Sequence, residues 1–186
     1  MRRALLAAFL VLALPAQAAP WSLAGLMAAL AKNRQGNASF EEKKFISVLD
    51  EPVASSGELR FAAPDHLEKI TLEPHAESLV LDGDRLTLER RGRKKVVALG
   101  DYPEIAGMIE SIRATLAGDR KALERVYHLT FTGSSEAWDL TLIPLDARIA
   151  KVVARVRMHG AGDQVRKVEI LQADGDRSLM TIRKLP

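Results

Sequence analysis

Apolar positions recur along this chain with changing periods. At the start, Ala4 to Leu14 form an apolar run behind Arg2 and Arg3, ahead of the small-residue site Ala16-Gln17-Ala18. A positive start, a short apolar run and such a site predict a cleaved export signal over residues 1–18 and a single domain over 19–186. The run is shorter than the roughly 20 residues a bilayer-spanning helix needs. Leu23, Leu26, Met27 and Leu30 then repeat at helical spacing, predicting a first helix with Gly36 as its stop.

Beyond it the period falls to two. Segments 38–48, 57–62, 66–73, 77–82, 84–90 and 94–99 read as six strands, separated by Pro52, Pro64, Pro74, Asp82-Gly83-Asp84 and Gly92. Asp82-Gly83 is a hairpin signal, because a type I′ turn needs positive φ at both central residues. In the middle the period lengthens again. Asp101 as cap, Pro103, and a stripe of Ile105, Met108, Ile109, Ile112 and Leu116 predict a helix that Gly118 closes. A short helix follows over 119–125. Five more strands are read at 127–133, 136–144, 150–160, 164–174 and 176–184. In the third of these, Val152, Ala154, Val156 and Met158 are set against Val153, Arg155, Arg157 and His159. One wet and one dry face imply an antiparallel meander. The expected fold is α+β: one strongly curved antiparallel sheet of about eleven strands, an open half-barrel, covered by a helical lid.

Composition narrows what such a fold could do. There is no cysteine, which excludes disulfides, thiol chemistry and a lipidated cysteine anchor. The chain carries 27 basic and 24 acidic residues; without Arg2 and Arg3 the basic count is 25, so the domain is nearly neutral. That balance gives no reason to expect a nucleic-acid partner. Aromatics are only 5% of residues, and aliphatic walls suit a filled core and a lipid site equally well. His66, His75, His128 and His159 are scattered without ligand spacing, and Gly133-Ser134-Ser135 is not a nucleophile elbow. Asp82/Asp84 and Asp174/Asp176 bracket glycines and read as turns. Glu41 and Glu42 point to opposite faces of a strand. Neither an enzymatic activity nor a cofactor or metal is expected.

Four segments in order carry a resemblance. Ala38-Ser39-Phe40-Glu41-Glu42-Lys43 is similar to an ASF-x-Q-K opening strand, and Gly57-Glu58-Leu59-Arg60-Phe61-Ala62-Ala63-Pro64 to G-x-L-x-F-x-x-P. Glu73-Pro74 with Leu79-Val80-Leu81-Asp82-Gly83 is similar to QP…LV-x-DG, and Trp138 to Pro144 to W-x-L-x-L-x-P. Together they resemble the LolA-like family of periplasmic carriers for outer-membrane lipoproteins. The resemblance implies an open half-barrel of the LolA/LolB type, periplasmic and not lipidated, with an apolar cavity for acyl chains. Its partners would be a lipoprotein or acylated lipid cargo, an inner-membrane exporter and an outer-membrane acceptor, with transient membrane contact. The expected lipid-binding residues are Leu59, Phe61, Leu81, Leu86, Leu88, Ile105, Met108, Ile109, Ile112, Trp138, Leu140, Leu142, Val156 and Met158.

Departures from the family pattern set further expectations. Ala63 stands where the carrier has a lid-pinning arginine, so release follows a different balance. Glu42 replaces a glutamine, and the sequence stops at Lys184-Leu185-Pro186 without the carrier's C-terminal extension. The pattern favours a divergent member serving a lipoprotein or glycolipid conjugate. The alternative is a sensor or interaction module on the same fold, binding a membrane-protein partner without carriage. The basic run Arg90-Arg91-Gly92-Arg93-Lys94-Lys95 reads as a solvated hairpin tip. Its second reading is a membrane-facing surface made by Arg91, Arg93, Lys94 and Lys95.

Overall fold

The computed structural model describes residues 21–186, apart from the side chains of Glu104 and Ile105. The expected export signal therefore lies outside the described residues. Helix α1 (Leu23–Leu30) opens the described chain, capped by Ser22, whose hydroxyl accepts from the Gly25 amide. Six strands follow: β1 (Gln35–Phe45), β2 (Val53–Ala62), β3 (His66–Glu73), β4 (Glu77–Asp82), β5 (Arg85–Arg90) and β6 (Arg93–Ala98). After a 3-10 turn at Leu99–Asp101 come α2 (Pro103–Leu116) and α3 (Arg120–Val126), then β7 (Tyr127–Gly133) and β8 (Trp138–Pro144). Helix α4 (Ala147–Ala150), β9 (Val153–Ala161), β10 (Gln164–Gln172) and β11 (Arg177–Lys184) complete the chain.

All eleven strands form one antiparallel sheet in the order β6-β5-β4-β3-β2-β1-β11-β10-β9-β8-β7. The two ends of the strand sequence pair with each other, β1 against β11. This leaves β6 and β7 as the two edges. The α2–α3 segment joins those edges, so it must cross the mouth of the curved sheet, which is why the mid-chain helices form its cover. Two clusters of buried side chains result. The larger joins Leu26, Met27 and Leu30 of α1, Ala122 and Leu123 of α3 and Ile149 of α4 to Trp138, Leu140, Leu142, Val153, Val156 and Met158 of β8 and β9. The smaller joins Ile109 of α2 and Leu99 to Leu81 and Leu86 of β4 and β5.

Close backbone approaches fix where the helices sit. A Cβ on Gly107 would lie 2.2 Å from Ile149 Cδ1, so α2 rests directly on α4. Gly118 has φ +66° and packs against the Met27 carbonyl, so it both ends α2 and lets α1 approach.

Several local expectations are corrected. Helix α1 stops at Leu30, capped by Ala31, and Gly36 lies inside β1 instead of ending the helix. The cap of α2 is Tyr102 without a side-chain bond, because Asp101 is taken up in the 3-10 turn. The strand expected from residue 150 begins only at Val153, because 147–150 form a short helix: Asp146 accepts from the Arg148 amide and Ile149 is buried at 4% exposure. In β9 the pairing with β10 slips between Leu171 and Gln172, so Val153 joins Val156 and Met158 on the dry face. A bulge of this kind adds one residue and reverses the alternation that Val152 and Ala154 had suggested.

Candidate functional site

Strand register shows what lines the concave face, since side chains of directly paired residues project on the same side. One row runs Phe131–Leu140–Met158–Val168–Met180–Glu42–Ser55 from β7 to β2. Another runs Phe61–Leu67–Leu81–Leu86–Val97 from β2 to β6. Its neighbour is Leu59–Lys69–Leu79–Leu88–Lys95, and beyond that lies Gly57–Thr71–Glu77–Arg90–Arg93. Two apolar territories therefore share one surface, with polar residues between them and along one end.

The first territory is sealed at its centre, on β8 and β9, while Phe131 and Val168 at its flanks are half-buried. Leu140, Leu142 and Val156 are at 0% exposure, Trp138 at 1% and Met158 at 2%. The Trp138 ring closes over Gly160, and its Nε1 donates to the Gly162 carbonyl at 3.0 Å. The territory on β2–β5 is only half closed. Leu81 and Leu86 are buried against Ile109, while Leu59, Phe61, Leu67, Leu79 and Leu88 remain half-buried. Among the described side chains of α2, only Ala106 and Ile109 belong to this cluster. Met108 packs against the larger cluster, and Ile112 is half-buried.

Two hydrogen bonds hold α2 down. Arg113 Nη1 donates to the Gly83 carbonyl in the β4–β5 turn at 3.0 Å, and Tyr127 Oη donates to the Gly107 carbonyl at 3.1 Å. Burial pushes the Tyr127 hydroxyl pKa up, partly offset by Ser111. Arg113 also reaches Glu110 at 3.7 Å, but its Nε is buried without a hydrogen-bond partner among the described residues. A buried donor left unmade costs free energy, which offsets part of what the Nη1 bond contributes. Ala63 carries no anchor; its amide donates to the Arg34 carbonyl at 2.8 Å. The cover is thus pinned from the helix side.

Between the two territories lies a polar seam. Glu42, 5% exposed, accepts from Lys69 Nζ and Ser178 Oγ at 2.5 Å each and from Ser55 Oγ at 3.5 Å. Lys69 Nζ also stands 4.8 Å from the centre of the Phe40 ring. Burial alone would raise the Glu42 pKa; the bonds from Lys69 and Ser178, with the charges of Lys69 and Lys44, more than offset it and hold it below 4.5.

At the open end of the sheet, the β5–β6 hairpin turns through Arg91 (φ 51°) and Gly92 (φ 70°), so both central residues are left-handed, as a type I′ turn requires. Arg91, Arg93, Lys94 and Lys95 are exposed, and with Leu88 and Arg90 they line an open cleft of about 610 Å³.

The structure thus divides the expected lipid-binding residues into two sets. Leu81, Leu86 and Ile109 pack together, with Leu59, Phe61 and Leu88 beside them on the same face of the sheet; Trp138, Leu140, Leu142, Val156 and Met158 meet in the sealed core. The side chain of Ile105 lies outside the described residues. Leu67, Leu79 and Lys69 also line the groove but were missed. In HLEKITLE the opposite set, Ile70 and Leu72, is as apolar as Leu67, so the period alone does not say which set faces inward. Leu72 is in fact 56% exposed. Glu42 had been read as facing away from Glu41, and it does, but nothing local announces its burial.

No described helix is long and apolar enough to cross a membrane, and no cluster of metal-ligand side chains occurs among the described residues. No curated protein sequence matches the chain. Several solved structures are similar to it. A LolA superfamily protein from Nitrosomonas europaea is 10% identical with a TM-score of 0.42, covering 87% of this chain and 93% of that one. MucB from Pseudomonas aeruginosa, solved with MucA, is 15% identical with a TM-score of 0.47, covering 88% of this chain and 58% of that one. LprF from Mycobacterium bovis is 10% identical with a TM-score of 0.35, covering 86% and 89%. With the family model for outer membrane lipoprotein carrier protein LolA-like sequences matching residues 16–182, the chain belongs to that LolA-like family.

Proposed function

We propose that this protein is a periplasmic carrier that shields acyl chains of a lipoprotein or glycolipid conjugate in the groove between α2 and strands β2–β5. It would receive its cargo from an inner-membrane exporter and pass it to an outer-membrane acceptor, without a chemical step. The observation carrying this reading is the strip of Leu59, Phe61, Leu67, Leu79 and Leu88, which stays half-buried on the concave face beside the cluster that α2 covers. Each methylene moved from water onto such a strip is worth about 0.8 kcal/mol. Lifting Ile109 and Ala106 from Leu81 and Leu86 would uncover the rest of the wall, and the helix would return when cargo leaves.

The test is to purify the protein without detergent, strip bound lipid and titrate it with a fluorescent fatty-acid probe. Saturable binding is expected, and Leu79→Glu, which places a charge in the strip, should abolish it without unfolding the sealed core. Absence of both probe binding and co-purified lipid would overturn the carrier reading. The filled packing of β8 and β9, which leaves no cavity among the described residues there, supports a second reading, an interaction module that binds a membrane-protein partner. That reading expects partner capture that survives Leu79→Glu.

A further inference from the structure

The basic cleft is part of the concave surface, not only a hairpin tip. Leu88 pairs with Lys95, and Arg90 with Arg93, so these four side chains project on the same face as Leu79, Leu81 and Leu86. In the row Leu59–Lys69–Leu79–Leu88–Lys95 the apolar pair Leu79–Leu88 therefore ends among cations. Acidic groups are few here. Glu77 faces Arg90 at 3.6 Å, and Glu89 pairs with Lys94 on the convex side. The residues lining the cleft are five cations and one leucine, with no carboxylate. A cleft of about 610 Å³ is within the usual size range for a small-molecule site.

We propose that this cleft holds the anionic phosphate headgroup of the lipid whose acyl chain lies along Leu88 and Leu79. The inference rests on the carrier reading and narrows its cargo to a phosphate-bearing lipid conjugate, which a lipoprotein's acyl anchor is not. Arg90 and Arg93 supply guanidinium forks that match phosphate oxygens, and Lys95 adds a point charge. An acyl chain followed by a phosphate needs an apolar strip followed by cations, in that order along one face, and the register of β4, β5 and β6 provides it. The same cations would repel a cationic headgroup and gain little from a zwitterionic one, so the end of the groove discriminates among lipids that share a tail.

The test compares two monomeric lipids with the same myristoyl chain, lysophosphatidic acid and lysophosphatidylcholine, titrated below their micelle concentrations. The full-length mature protein should prefer the anionic lipid by about tenfold at low salt, and the preference should shrink as salt screens the cleft. Arg93→Gln with Lys95→Gln should reduce the preference to about twofold or less. Equal binding of both lipids, or a preference unchanged in the double variant, would overturn the headgroup site and leave the acyl groove standing. Binding of neither lipid would overturn the groove, and the headgroup site with it. A third arm uses vesicles containing phosphatidylglycerol. Vesicle binding lost in the double variant, with no preference between the monomeric lipids, would replace the headgroup site with a membrane-docking surface.

Discussion

The two ends of this one sheet bury their leucines to different depths. On β8, Leu140 and Leu142 are at 0% exposure beneath helices α1, α3 and α4. On β4 and β5, Leu79 and Leu88 stay half-buried, with α2 their only helical cover. The backbone ladder is continuous across both regions, so hydrogen bonding does not distinguish them. The difference lies in which helices reach each end: α1, α3 and α4 with Ala114 of α2 close one, while Ile109 of α2 and Leu99 of the 3-10 turn serve the other. A surface built this way has one half that is closed over and one half that stays partly open to water.

Mutation should break the two halves unequally. Leu140→Ala leaves a cavity where nothing can collapse, and urea unfolding should show a loss of about 3 kcal/mol. Ile109→Ala removes a similar volume beside side chains that water already reaches. It should cost about 2 kcal/mol, at the low end for such a truncation, and equal losses at the two positions would end the distinction. The polar seam gives the next largest effect. Lys69→Met leaves the Glu42 carboxylate buried with fewer partners and should cost about 2 kcal/mol, whereas Glu42→Leu combined with Lys69→Met should recover most of the loss.

Acid sharpens the same point. The folded pKa of Glu42 lies below 4.5, so its contribution is present above pH 4.5 and is lost as pH falls through the folded value. In Lys69→Met that loss should begin at a higher pH in a pH series of thermal melts. A smaller effect is expected at the cover. Arg113→Met removes the bond to the Gly83 carbonyl and should speed amide exchange across α2 about fivefold, leaving β8 and β9 unchanged. His66 should give the smallest change. Its bond to Glu68 and nearby Asp82 raise its pKa above 6.5, so its small contribution is present below pH 6.5 and fades as pH rises through the folded value.

Much of this arrangement is legible in the residues. Alternation in Trp138-Asp139-Leu140-Thr141-Leu142 gives the dry face directly, and the stripe ending at Leu116 gives the covering helix. Asp82-Gly83 and Gly92 mark the turns that make neighbours of β4, β5 and β6. The groove is less legible. In β3 both sets of alternate residues are partly apolar, and only pairing with Phe61 and Leu81 shows that Leu67 faces inward. In β9 a bulge moves Val153 inward, and a bulge depends on the partner strand, here at Gln172.

The sequence by itself therefore determined the element types, their approximate number and which face of most strands is dry, because those follow from local period and turn chemistry. It determined the family through the order of four short segments. Which apolar residues form a closed core and which form a surface that stays partly open to water was decided only by tertiary structure. Leu140 and Leu79 occupy similar local patterns; what separates them is which helices reach each, α1, α3 and α4 with part of α2 over the first and α2 over the second. The burial of Glu42 was likewise decided by closure of β1 against β11, which brings Ser178 beside it while β3 supplies Lys69.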